Sequence, residues 1–97
     1  MLFAVRFHDK PDQLALRNAY LQDHVDWLAK HRDTILIAGS LREIPEAGAV
    51  GGLWIVRASD RSEVEGLLQS DPFWIQGLRD RVEIHSLHRA FDEPVMI

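Results

Sequence analysis

The chain has 97 residues, 46% of them hydrophobic and 27% charged, with a net charge of −4 and no cysteine. At that length a single domain with a modest core is expected. Without cysteine there are no disulfides, no thiolate chemistry and no Cys-ligated zinc; Lys and Arg scattered among acids make no phosphate-binding patch, which argues against nucleic acid; and no apolar run approaches the ~18 residues of a membrane span.

The absence of cysteine suits a reducing cytoplasm, and the opening "MLFAVRFHDK" is too short and too charged for a signal peptide. Within it Phe3, Val5 and Phe7 alternate on one face, as in a strand over 2–8. "DKPDQ" breaks that pattern, with Pro11 and Asp12 as helix-start residues. From Leu14 the spacing turns helical, with Leu14, Leu21, Val25 and Leu28 on one stripe and an end near His31. "TILIAGSL" (34–41) reads as a second strand, "EIPEAGAVGG" as a loop, and "LWIVRA" (53–58) as a third strand. "SDRSEVEGLLQ" opens with capping residues and carries Val64, Leu67 and Leu68, a second helix. "SDPFWIQGL" (70–78) follows as a short capped helix, then a fourth strand in "RVEIHSLHRAF", and an irregular tail "DEPVMI".

The order β-α-β-β-α-β predicts a ferredoxin-like α+β fold, a four-stranded antiparallel sheet with two helices on one face. The bare face of such a sheet should be polar if it meets water. Yet Ile35, Leu36 and Ile37 run consecutively, as do Leu53, Trp54, Ile55 and Val56. Both faces of these strands are therefore apolar, and a second copy packed sheet to sheet is the simplest cover. A tail or loop folded over the face is the alternative.

On a helical wheel the first helix has a wide apolar arc. Leu14, Leu21, Val25 and Leu28 fill one half, and Leu16, Tyr20 and Trp27 the other. His24 falls between them, with Arg17 and His31 nearby. A buried unpaired polar group costs roughly 1–3 kcal/mol, so His24 needs a partner. A backbone carbonyl would make it a plain core histidine. A carboxylate would make it a general acid/base, because the second hydrogen bond fixes the tautomer and stabilises the cation. Asp71 is the natural carboxylate: it caps the helix that Pro72 opens, and it has lone pairs for both tasks. Phe73 and Trp74 either wall such a pocket or belong to the core. His8, His85 and His88 lack the compact spacing of a metal site, and no phosphate loop or nucleophile elbow appears.

These residues carry a resemblance. "DHVDWLAKHRDTILIAGSL", the Gly-containing loop and strand after it, and "SDPFWIQGL" with its closing strand are similar to YCII-related domain (YciI-like) proteins over nearly the whole chain. The family's helix-borne histidine corresponds to His24 in "HVDWL", its "DPF" motif to Asp71-Pro72-Phe73, the "GL" after it to Gly77-Leu78, and its strand-end glycine to Gly39. Ser40 stands where the family often has proline, and Arg17 lies one turn further back than the family's usual arginine. The resemblance implies a dimeric α+β barrel with an active site on the histidine and the aspartate. It also implies kinship with small lyases and isomerases acting on aromatic or lactone compounds, among them a dehydrochlorinase of chlorinated hydroquinones.

The expectation is therefore a homodimeric, cofactor-free and metal-free small-molecule enzyme. His24 and Asp71 are its catalytic pair, and Arg17, Trp27, Ser40, Phe73 and Trp74 its substrate-binding residues, with Arg17 or Arg42 holding an anionic group. The competing readings are a non-catalytic ligand-binding or regulatory dimer and a protein-interaction dimer with no ligand.

Overall fold

Seven elements follow one another in the computed structural model, which describes residues 1–91: β1 (Leu2–Asp9), α1 (Leu14–Lys30), β2 (Ile35–Leu41), β3 (Gly51–Arg57), α2 (Arg61–Leu68), α3 (Pro72–Ile75) and β4 (Arg79–Leu87). The strands form one sheet in the order β2-β3-β1-β4, with every neighbouring pair antiparallel. This is the ferredoxin-like α+β arrangement that the element order implied. The expected irregular tail, 92–97, lies outside the described residues. β4 starts two residues earlier than the sequence suggested and stops at Leu87, so 88–91 are not strand.

The helix-covered face carries the core. Phe3, Val5 and Phe7 stand beside Val56, Trp54 and Gly52 of β3, and Val5 and Phe7 beside Ile84 and Val82 of β4. They pack with Trp27 of α1, Ile35 of β2, and Val64 and Leu68 of α2. Each such buried side chain contributes about 1.5–3 kcal/mol. Trp54 meets the Phe7 ring edge-on at 4.6 Å and stacks on Trp27 at 5.4 Å.

α1 is rotated relative to the expectation. The buried residues are Arg17, His24 and Trp27, while Leu14, Leu21 and Val25 are exposed. An apolar arc covering half a wheel cannot all face one sheet. The orientation taken is the one that gives Arg17 and His24 partners, Asp9 and Asp71; of the leucine half only Leu28 packs against the core. Nor do Pro11 and Asp12 start the helix. They form a turn with Asp12 at φ 58, a left-handed conformation that Asp tolerates, and Gln13 occupies the N-cap without a side-chain bond. α2 begins as read, with the Asp60 carboxylate accepting from the Glu63 N–H.

The register shifts by one residue in two places. β2 is an edge strand, and Leu36 is extra in its ladder: Ile35 pairs with Val56 and Ile37 with Ile55. Ile35 therefore joins the core while Ile37 turns to the open face. The three consecutive apolar residues mark a bulge, not a strand buried on both sides. On β4 the extra residue is Asp80, since His8 pairs with Arg81 but Asp9 with Arg79. The open face is divided. Ile37, Leu41, Leu53, Ile55, Leu2 and Ala4 make an apolar half, and Arg6, His8, Glu83, His85 and Arg81 a charged one. Only the first half fits the two-sided apolar sheet read from the sequence.

Candidate active site

Three element ends meet at one end of the helix-covered face: the end of β1, the start of α3 and the start of β4. Asp71 leads α3. Its Oδ1 accepts the Phe73 N–H at 3.2 Å, with Pro72 in the first turn where its missing N–H costs nothing. The same Oδ1 lies 2.6 Å from Nδ1 of His24, 47 residues away on α1. Asp71 is fully buried and His24 is 7% exposed. A carboxylate can only accept, so Nδ1 carries the hydrogen of this bond, and in the neutral ring Nε2 is then the acceptor. Nε2 has no hydrogen-bond partner among the described residues. Asp71 Oδ2 is buried and has none either, so this carboxylate receives far fewer donors than its charge can hold.

Phe73 organises the surroundings. The His24 ring stacks on it at 4.0 Å with 15° between planes. The guanidinium carbons of Arg17 and Arg79 each lie 5.1 Å from its centroid, and that of Arg79 is 4.4 Å from the Phe7 ring. Asp9 joins the two arginines: Oδ2 takes Nη1 of Arg17 at 2.5 Å and Oδ1 takes Nη1 of Arg79 at 2.6 Å. Two guanidinia and one carboxylate leave one net positive charge beside the His24–Asp71 pair. Burial pushes the Arg17 guanidinium below its ordinary value, opposed by Asp9 and reinforced by Arg79 and Arg42. Gly52 lies beneath Arg79, where a Cβ would come within 3.5 Å of Nη2.

Of the other expected residues, Trp27, Trp74 and Ser40 fall elsewhere. Trp27 is in the core, its Nε1–H donating to Ser70 Oγ at 3.1 Å and its faces against Trp54 and His31. Trp74 is half-buried against the core, whereas Phe73 is fully buried in the site itself, against the His24 ring. Ser40 is exposed next to Gly52 and accepts from Arg42 Nε at 3.3 Å, and Arg42 also donates to the Ala47 carbonyl. Asp9 and Arg79 were missed. Asp9 had a signal, because it shares the parity of Phe3, Val5 and Phe7 and so brings a carboxylate to the core face. Among the described residues no three His, Asp or Glu side chains converge to hold a metal ion.

Beside Arg17 opens a cavity of about 390 Å³ between the start of α1, the end of β1 and the approach to β3. Its walls are mainly apolar, and neither His24 nor Asp71 lines it.

The sequence profile of the YCII-related domain matches residues 1–88. No curated protein matches the chain in sequence. Among solved structures, 5-chloro-2-hydroxyhydroquinone dehydrochlorinase (TftG) from Burkholderia phenoliruptrix AC1100, in complex with 2,5-dihydroxybenzoquinone, is similar with a TM-score of 0.83 at 23% identity, over 91% of this chain and 94% of that one. A protein from Agrobacterium tumefaciens is similar at 0.59 and 19% identity over 99% and 100% of the two chains. A NIPSNAP domain protein from Burkholderia xenovorans is similar at 0.53 and 14% over 97% and 99%. At these identities the likeness shows the fold alone, the ferredoxin-like α+β arrangement.

Proposed function

This chain belongs to the YCII-related domain family, and we propose that it is a small-molecule enzyme in which His24 and Asp71 perform acid–base chemistry on an aromatic or lactone compound without a cofactor. The observation that carries this is the buried 2.6 Å bond between His24 Nδ1 and Asp71 Oδ1, with Nε2 left without a partner. Nε2 takes a proton from the substrate. The imidazolium that forms is the counter-ion of the Asp71 carboxylate, and it returns the proton to the leaving group or the product. The stack on Phe73 and the two bonds to Oδ1 hold the ring in one orientation before substrate arrives. The one positive charge of the Arg17–Asp9–Arg79 cluster offsets negative charge that develops on an oxygen of the substrate. The similarity to a hydroquinone dehydrochlorinase supports this class of reaction, since removing hydrogen chloride begins with a proton transfer.

The reading includes a homodimer. The apolar half of the open face, with Ile37 49% exposed, supports a second sheet packed against it.

The test is a turnover screen over hydroquinones, halogenated phenols and lactones, run on wild type and His24→Gln. A substrate consumed by wild type and not by a folded His24→Gln of the same assembly size supports the proposal. Turnover that survives His24→Gln sinks it, and ligand binding with no turnover of any compound moves the chain to the binding-module reading.

A further inference from the structure

The cavity beside Arg17 is adjacent to the His24–Asp71 pair but lined by different residues. At about 390 Å³ it falls in the range of small-ligand pockets. Leu14, Ala49, Val50 and Leu78 supply its apolar walls. Arg17 stands at one side and is 8% exposed, so its charge is largely withdrawn from water. Of its nitrogens only Nη1 has a hydrogen-bond partner among the described residues, the Asp9 carboxylate. That carboxylate is shared between two guanidinia, Arg17 and Arg79, so the three groups together carry one net positive charge toward an anion. Lys10 adds a cation at the rim and Asp12 an acid. The first turn of α1 has no acidic residue and no side-chain cap, so its free N–H groups add donors on the same side. An apolar slot with one buried, under-neutralised guanidinium selects a flat apolar molecule with one anionic group.

We propose that this cavity binds a small organic anion, its carboxylate or ionised hydroxyl on Arg17 and its apolar ring between Leu14, Val50 and Leu78. The site names the class of molecule that the acid–base pair serves. It rests on that reading only for the statement that the bound molecule is the substrate.

The experiment is a titration of the full chain with benzoate and with its neutral isostere benzamide, followed by amide and Arg Nε–H signals in ¹H–¹⁵N NMR. Wild type should bind benzoate at least about tenfold more tightly than benzamide, the discrimination expected of one charge-assisted pair, with the Arg17 Nε–H signal moving on binding. Arg17→Gln should abolish the preference. Arg17 is buried, so a second variant guards against misfolding: Val50 is 50% exposed, and Val50→Trp fills the slot while leaving Arg17 and the core in place. It should weaken benzoate at least about tenfold. Equal affinity for the two probes, binding of neither, or a benzoate preference that persists in Arg17→Gln or survives Val50→Trp overturns the proposal. His24→Gln separates the two readings. Benzoate selectivity retained in that variant supports the anion site whether or not any compound is turned over, whereas loss of turnover without selective benzoate binding in wild type leaves the acid–base pair standing and removes this site.

Discussion

Consider Asp71→Ala, His24→Ala and the double variant as a thermodynamic cycle. Asp71 Oδ1 makes two bonds, to the Phe73 N–H at 3.2 Å and to His24 Nδ1 at 2.6 Å. Losing the cap alone costs about 1 kcal/mol. Losing a charge-assisted buried bond, with the His24 N–H left orphaned, costs about 1.5–3 kcal/mol more. The unpartnered Oδ2 offsets part of this, because its burial is a penalty that the alanine removes. Asp71→Ala should therefore lose about 2–3 kcal/mol. His24→Ala loses the same bond together with a stack on Phe73 worth about 0.5–1.5 kcal/mol. The shared bond is lost only once in the double variant, so the coupling energy should be about 1.5–3 kcal/mol. Equilibrium urea unfolding at one fixed protomer concentration measures it, since the proposed dimer would make stability depend on concentration. A coupling below about 0.5 kcal/mol is the additivity of independent sites. It would mean that the two residues share a location but not an interaction, and the acid–base reading would lose its foundation.

Charged substitutions at Ile37 and Leu53, on the apolar half of the open face, should convert the proposed dimer to monomer in sedimentation velocity with the helical signal kept; an unchanged sedimentation coefficient would exclude that face as the interface. Gly77 has φ 75, so Gly77→Ala should cost about 1–2 kcal/mol in urea unfolding through backbone strain where α3 turns into β4, and a neutral result would refute that account. Glu83 accepts a hydrogen bond from His8 at 2.5 Å, which holds its carboxyl below the ordinary 4.5. A lowered folded value means stability present above 4.5 and lost as pH falls through the lower value, so Glu83→Gln should flatten the acid limb of the stability–pH curve. Superimposable acid limbs for the two proteins would show that the pair does not couple to folding.

How far the sequence could be read depended on whether local spacing stayed regular. β1 kept strict alternation, and Phe3, Val5 and Phe7 are on the core face as spacing required. Asp71-Pro72 announced its cap because capping is local chemistry, and His24 stood out because the middle of an apolar arc is a costly place for an imidazole. The failures come from residues that break a period. Counting back by twos from Ile84 and Val82 puts Asp80, not Arg79, on the face of β4 that meets Asp9. A regular ladder would set two carboxylates opposite one another and drive them apart. The extra residue removes that clash by placing Arg79 against Asp9 instead, and it thereby creates the ion cluster beside His24. Leu36 acts in the same way on β2, where it parts Ile35 from Ile37 and gives one to each face. A one-residue slip reverses every side chain beyond it, so a pattern argument that does not allow for bulges misassigns the very positions where a strand has been re-aimed. Here one of those positions is Arg79, against the candidate site. The like-charged pair that a regular register would create, Asp9 facing Asp80, was the sign in the sequence that the register could not be regular.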